Sequence, residues 1–254
     1  MDIQLLIDVA GLASHIILEN GGETYRAEET AMHICEAFGA DVQLFALPTG
    51  VFITVAIDNE SRTAIKRVKK RTTDLSKLEK ALNISRAISK GTMDLEQAKL
   101  ELQELLKSGK KTKRWVSIGA AGLSSGFFAL LFGGGFFDFI IAFACGLSVW
   151  TISTAFKRED LFHFMMSLFG GMAIALIATL SINIFHTGNA NSIIAGAMMP
   201  LLPGLAMTNA IRDTMRGDLV SGVSRGAEAL LIAVALAIGA GVMLKLWLML
   251  GGVV

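Results

Sequence analysis

The stretch MPLLPGLAMTNAIRD, residues 199–213, begins inside an apolar run and ends in charged residues. Two of the chain's three prolines, Pro200 and Pro203, lie in it, and Gly204 follows at once. A proline inside a helix removes a hydrogen-bond donor and clashes with the preceding turn, which costs about 3 kcal/mol. In lipid the freed carbonyls need partners, so such a break is tolerated only against protein or a water-filled cavity. The stretch therefore predicts a broken membrane helix.

Polar side chains follow the break at spacings of three and four, which places them on neighbouring positions of one helical face. A broken membrane helix with a polar face is typical of a transporter's substrate site. The alternative is an interfacial anchor, with the prolines serving only helix packing. The predicted substrate-binding residues are Pro203, Gly204, Thr208, Asn209 and Arg212.

The composition points to a membrane protein. Of 254 residues, 53% are hydrophobic, and the mean hydropathy is +0.57, which is too apolar for an ordinary soluble domain. Most charges lie before residue 115, and long apolar runs fill the rest. We predict a cytoplasmic α+β domain over residues 1–110 and a transmembrane domain over residues 111–254. The net charge of +1 gives no reason to expect a nucleic-acid partner.

The polar half predicts the order α-α-β-β-β-α-α. One helix precedes Gly21-Gly22 and a second follows it. Three strands come next, with a turn at Pro48-Thr49-Gly50 between the first two, and then two more helices that end near Ser89 and Lys107. A compact polar group directly after the paired glycines is a candidate ligand contact. The alternative interpretation of this polar group is a capped helix with an ion pair on the surface. The polar group consists of Glu23, Tyr25 and Arg26.

The apolar half predicts an α-helical integral membrane protein with five transmembrane helices. The predicted spans are 115–132, 136–155, 162–183, 192–211 and 227–249. Ten basic residues flank the spans on one side, and the two opposite links contain none. The positive-inside rule then places the N-terminus in the cytoplasm and the C-terminus outside. The ten are Lys107, Lys110, Lys111, Lys113, Arg114, Lys157, Arg158, Arg212, Arg216 and Arg225.

Three acidic residues near the ends of the spans are candidates for proton coupling, because ionisable groups at this depth are costly. Asp138 could instead be a helix N-terminal acid. Asp213 could be a solvated loop residue, and Glu228 could pair with Arg212 or Arg225. Cys35 and Cys145 lie in different halves, which argues against a disulfide. The motifs of enzymes, phosphate loops and metal sites are missing from the sequence, so we expect no catalysis, cofactor or metal.

Four motifs in fixed order carry a family resemblance. The chain resembles the threonine/serine exporter (ThrE) family from about residue 11 to about residue 240, and more closely its YjjP-like half, the larger subunit of a split transporter. The motifs are residues 21–30 (GGETYRAEET), Leu47–Gly50, Leu131–Gly135, and residues 202–218 from Leu-Pro-Gly to Gly-Asp.

The resemblance implies a bacterial inner-membrane exporter of threonine and serine, or of small organic acids such as succinate. Full-length members have about ten spans, so a chain with five implies a smaller, YjjB-like membrane subunit as partner. The substrate site would then be shared between the two subunits, with Arg212 drawing a carboxylate. Alternatives are a membrane-anchored cytoplasmic sensing or scaffold protein, with the polar domain binding the ligand, and a passive channel.

Overall fold

The computed structural model describes residues 2–58, 60–109, 113–155 and 162–251. These residues are mostly helical, with one small sheet. The helices and strands are α1 Ile3–Glu19, α2 Thr24–Glu36, β1 Asp41–Leu47, β2 Gly50–Ile57, β3 Glu60–Arg67, α3 Leu75–Ser89, α4 Leu95–Lys107, α5 Arg114–Leu131, α6 Phe136–Ala155, α7 Phe162–Phe185, α8 Ala190–Met198, a 3-10 turn Met199–Leu201, α9 Gly204–Met215 and α10 Leu219–Met249.

The chain forms two compact units. The first contains Met1–Lys110 and Leu205–Ala227, and the second contains Lys111–Gly204 and Glu228–Val254. The prediction had placed residues 205–227 with the membrane helices. In the structure, polar residues of this segment form hydrogen bonds with the turn between α1 and α2.

The first unit is built around α1, which is apolar on nearly its whole circumference. Leu6, Ile7, Ala10, Ile16 and Ile17 are at most 1% exposed. The helices α2, α3 and α4 and the inner face of the sheet pack against it. A helix that is apolar all round needs cover on every side, and the predicted order of two helices, three strands and two helices supplies it.

The sheet is an antiparallel meander in the order β1-β2-β3. A two-residue turn at Pro48 and Thr49 joins β1 to β2, as predicted. Alternate residues of β2, from Val51 to Val55, are fully buried against α1. The period of two therefore directs the intervening residues, including Phe52, to the opposite face.

In the second unit, α5, α6, α7 and α8 pack together through small residues. A Cβ on Gly122 would lie 2.8 Å from the Phe143 ring, and one on Gly146 would lie 2.6 Å from the Ala121 carbonyl oxygen. At both places α5 and α6 are too close for any larger residue. Small residues at such spacing are typical of membrane helix contacts.

Several helices are suited to a membrane. Within the described residues, three helices are long and apolar enough to cross one, Arg114–Leu131, Phe164–Phe185 and Leu219–Met249, and 22% to 33% of the residues in the apolar 18-residue window of each are buried. The pair Ala190–Leu201 and Gly204–Met215 would be a fourth span if counted as one, and Phe136–Ile152 is a shorter apolar stretch. The five-span count stays a prediction. Of the basic residues used for orientation, Lys110, Lys111, Lys157 and Arg158 lie outside the described residues.

The helix predicted over residues 192–211 is interrupted at its prolines. A single 3-10 turn follows α8, and Leu202 has the extended conformation (φ −66°, ψ 137°) that a residue before proline prefers. A new helix, α9, begins at Gly204. The predicted break is therefore present, and it separates an apolar helix from one that carries the polar face.

Candidate functional site

A two-glycine turn links α1 to α2, and both glycines are required there. Gly21 has φ +88°, which glycine tolerates best. A Cβ on Gly22 would lie 2.4 Å from the Ile17 side chain and 2.8 Å from its carbonyl oxygen. Where one helix ends and the next begins, backbone carbonyls and amides lack helical partners. This turn therefore needs hydrogen-bonding groups from elsewhere in the chain.

The polar face of α9 and the start of α10 supply those groups. Asn209 Nδ2 donates to the Gly21 carbonyl at 2.9 Å, and Arg225 Nη2 donates to the Gly22 carbonyl at 2.8 Å. The Thr24 backbone amide and hydroxyl both donate to the carboxylate of Asp213, at 3.2 and 3.0 Å. We call these residues, with Glu23 and Arg212, the glycine-turn cluster.

The centre of the cluster is a buried ion pair. Asp213 is fully buried and the Arg225 side chain is 9% exposed, with Nε of Arg225 3.1 Å from Oδ2 of Asp213. The pair is a charge contact, because this N–H is not aligned for a hydrogen bond. Asp213 also lies at the N-terminus of α2, where the helix dipole favours a negative charge. Removing one partner of a buried ion pair is strongly destabilising, because the charge of the other stays buried.

The rim of the cluster is rich in arginine. The carboxylate of Glu23, 9% exposed, pairs with Arg212 Nη1 and lies 2.8 Å from Arg26 Nε. The Arg212 side chain is 51% exposed, in contrast to the buried carboxylate that it contacts. The Arg216 guanidinium lies 3.5 Å from the centroid of the Tyr25 ring, which is a cation–π contact. An ion pair after Gly22 is present, with Arg212 as a further partner, but Glu23 is buried rather than on the surface, and its side chain does not cap α2.

Glu28 lies one turn further along α2 and is half-buried. It accepts a hydrogen bond from the Ala46 amide at 2.8 Å. Burial raises its pKa above the ordinary value, with help from the negative charges of Asp218 and Asp213, although the Ala46 amide works against the rise. The pKa of Asp218 is raised for the same two reasons, burial first and then Asp213. An acidic pair that binds protons more tightly than usual therefore borders the cluster.

Other predicted residues lie away from the cluster. Thr208 is exposed, and its hydroxyl donates to the Leu205 carbonyl at 3.0 Å. Pro203 and Gly204 belong to the second unit, at the break before α9. Glu228 belongs to the second unit as well. The cluster and its rim thus unite Asn209, Arg212 and Asp213 with Glu23, Tyr25 and Arg26, two sets that the sequence suggested separately.

Asp138 forms a different kind of site in the second unit. It is 4% exposed. One carboxylate oxygen accepts from the Gly135 amide at 2.7 Å and the other from the Asn189 amide at 2.8 Å. Asp138 therefore connects the link before α6, which contains Gly135, to the link after α7, which contains Asn189. Its position in the first turn of α6 is one that the helix dipole favours for an acid.

The sequence did not indicate Thr24 and Arg225 as members of the cluster, or Glu28 as a residue at its border. The signal for Thr24 is its position as the first residue of a helix after two glycines, where an amide needs an acceptor. For Arg225 the signal is a charged residue inside an otherwise apolar helix start. Glu28 gives no such signal, because its burial depends on the folded sheet.

The matched family is a transporter family. The model of the threonine/serine exporter family, ThrE, matches residues 8–247. With its apolar helices and a match over nearly its full length, the chain belongs to the threonine/serine exporter family and is a multi-pass membrane protein. No solved structure matches the chain.

Individual relatives are distant. The chain is 21% identical to the "Probable threonine/serine exporter" of Mycobacterium tuberculosis over 92% of its length and 45% of the relative's. It is 23% identical to the "Threonine/serine exporter" of Corynebacterium glutamicum, over 95% of the chain and 51% of that protein. The chain thus spans about half the length of these two exporters. It is 21% identical to the "Probable succinate transporter subunit YjjP" of Escherichia coli K12, over 91% of the chain and 90% of the relative.

Proposed function

We propose that the chain is one subunit of a secondary transporter that exports small amino acids such as threonine and serine, or small organic acids such as succinate. The names of the relatives supply both substrate classes. A matching span of 90% with a protein called a subunit favours a split transporter. The partner would be a second small membrane subunit, YjjB-like, that carries the remaining spans.

The proposed setting is the bacterial inner membrane, with the N-terminus in the cytoplasm and the C-terminus outside. The one-sided basic residues support this orientation. Arg212, Arg216 and Arg225 are among them, so the glycine-turn cluster would face the cytoplasm. An exporter loads its substrate from that side.

The observation that carries the proposal is the half-exposed side chain of Arg212, whose guanidinium pairs with the buried carboxylate of Glu23. A guanidinium binds a carboxylate through two parallel hydrogen bonds. Glu23 is an internal carboxylate at the place where a substrate carboxylate would bind. Substrate would therefore compete with Glu23 for Arg212, beside Asn209. Pro203 and Gly204, which precede this face in the chain, remain predicted members of the site.

Export against a gradient needs an energy source. One charge crossing 100 mV is worth about 2.3 kcal/mol, so a coupled proton would drive substantial accumulation. We propose Asp138, Asp213 and Glu228 as the coupling residues to be tested. Asp213 is fully buried and paired with Arg225. Protonation of its carboxylate would therefore break a buried salt bridge.

The site is tested by export from proteoliposomes that contain both subunits. Arg212→Ala should lower the export of a carboxylate at low substrate concentration by about 10- to 100-fold, the value of a charge-assisted hydrogen bond. Glu23→Gln should lower the apparent KM, because it removes the competing carboxylate. Arg62→Ala, an exposed arginine on β3, is the matched control and should leave export unchanged. Equal rates for Arg212→Ala, Asn209→Ala and the unmodified chain would disprove the site.

Coupling is tested in the same vesicles with and without a proton gradient. A coupled exporter concentrates substrate only with the gradient and saturates at high substrate. A passive channel shows neither property. Equal accumulation in both conditions would exclude proton coupling while leaving the Arg212 site in place.

A further inference from the structure

The outer face of the sheet carries an exposed apolar row. Phe45, Phe52 and Ile65 are directly paired across the three strands. They are 55%, 44% and 63% exposed. The two phenylalanine rings are 6.5 Å apart. Large apolar side chains grouped on a surface mark an interaction site more often than scattered ones do.

A basic run lies at one end of this row. Arg67 is the next outward residue of β3 after Ile65, paired with Gly50 of β2. Beyond it come Lys69, Lys70 and Arg71, which are all exposed. At the other end, further from the run, the face carries polar and acidic residues such as Asp41 and Ser61.

The basic run is held in place at both ends. The Val68 amide donates to the Thr49 carbonyl at 2.8 Å, next to the β1–β2 turn. The Thr72 amide donates to the Glu19 carbonyl at 2.7 Å, at the end of α1. The intervening cationic residues therefore have a fixed position beside the apolar row.

We propose that the outer face of the sheet, with residues 67–71, binds the surface of an anionic lipid bilayer. Phenylalanine side chains on an apolar face suit insertion at the boundary between headgroups and acyl chains. Clustered lysine and arginine residues are attracted to anionic headgroups. Charge complementarity thus favours a lipid surface as the partner. In a multi-pass protein the membrane is also always close to the parts of the chain outside it, so its effective concentration is high.

The test uses the full chain in nanodiscs, with Cys35→Ala and Cys145→Ala to remove the native thiols, and Thr63→Cys for an environment-sensitive dye. Thr63 is exposed and is the next residue on the same face of β3 before Ile65. In phosphatidylglycerol discs the dye emission should shift to shorter wavelength, and quenching by an aqueous quencher should fall severalfold, relative to phosphatidylcholine discs. The difference should shrink in high salt. A dye at Glu96→Cys, exposed on α4, should show no lipid dependence.

Two variants separate the contributions. Neutralising Arg67, Lys69 and Lys70 to glutamine should abolish the lipid difference, as should Phe45→Ser with Phe52→Ser. These side chains are exposed, so the core is unaffected. The same change at exposed Lys80, Arg86 and Lys90 of the α3 segment is the control for net charge.

Two outcomes would overturn the proposal. One is an identical dye signal in both lipids. The other is protection that rises with protein concentration, together with crosslinking between the thiols that Thr63→Cys introduces into two chains. That result would assign the face to a second copy of the chain.

Discussion

Asp213 in the first unit and Asp138 in the second are both buried carboxylates, and their partners differ. Asp213 contacts a guanidinium, a hydroxyl and an amide, and its Thr24 contacts join residues 189 positions apart. Asp138 accepts two backbone amides, one 3 residues away and one 51 residues away. The first carboxylate is neutralised by a side-chain charge, and the second is held by backbone dipoles.

This difference bears on which acid can take part in a conformational change. Such an ion pair can separate if the carboxylate gains a proton or if the guanidinium gains a new anionic ligand. Two backbone amides cannot leave a carboxylate unless the loops that carry them move. Of these two acids, Asp213 is therefore the better placed to respond to the proposed ligand of Arg212, its neighbour in sequence, and Asp138 the better placed to hold together the links that carry Gly135 and Asn189.

The largest expected effect comes from Asp213→Asn. The change removes the carboxylate charge beside the buried Arg225 guanidinium, and breaking a buried pair typically costs about 3–5 kcal/mol. We expect a strongly reduced thermal midpoint in detergent, or loss of the folded protein. The double variant Asp213→Asn, Arg225→Met should be more stable than Asp213→Asn alone, because it removes the buried cation as well.

Asp218→Asn, on a partly buried neighbour whose pKa is raised, is the control and should be harmless or mildly stabilising at neutral pH. If Asp213→Asn matched the unmodified protein in thermal midpoint, the central role given to the Asp213–Arg225 pair would be wrong.

Two glycines test how closely each carboxylate site is packed. A Cβ on Gly222 would lie 2.1 Å from Thr214 Oγ1, between the helices that carry Asp213 and Arg225. A Cβ on Gly188, at φ +108°, would lie 2.7 Å from Asp138 Oδ1. Each substitution by alanine should cost about 1–3 kcal/mol through overpacking. Gly226→Ala, with its nearest contact at 3.8 Å, should be tolerated. Equal thermal midpoints for all three variants would contradict this account.

A smaller effect is expected from Asp138→Asn. The amide keeps one acceptor oxygen, so one backbone amide loses its partner, at about 1–3 kcal/mol for a buried unsatisfied group. The loss should be below that of Asp213→Asn, because the two amides that Asp138 accepts from are neutral. Thermal unfolding of the two variants side by side makes the measurement. A larger loss at Asp138 would reverse the comparison, and a change in gradient-dependent export would support its proposed coupling role.

Much of the local architecture follows from the sequence. The paired glycines, the Pro48–Gly50 turn and the prolines before α9 act over a few residues, and their structural consequences match the prediction. The polar face of α9 was also evident from its spacing. Its partner was not, because hydrogen bonds between residues nearly 190 positions apart depend on how the chain folds back. Apolar composition suggested a fourth span through residue 211, but it could not reveal that Asn209 and Asp213 find their partners at Gly21 and Thr24.

The smallest expected effect concerns Glu28, whose pKa is raised by burial and by nearby acids. Below the ordinary glutamate pKa of about 4.3, both folded and unfolded chains hold the proton, and the group contributes nothing to stability. As pH rises toward the raised pKa, the unfolded chain ionises first, so the folded state loses stability relative to it. Glu28→Gln lacks this loss and keeps an oxygen for the Ala46 amide. Its thermal midpoint relative to the unmodified chain should therefore rise with pH over this window and then level off. Glu29→Gln, its exposed neighbour, is the control. A pH-independent difference for Glu28→Gln would mean that the pKa of Glu28 is not raised in the folded chain.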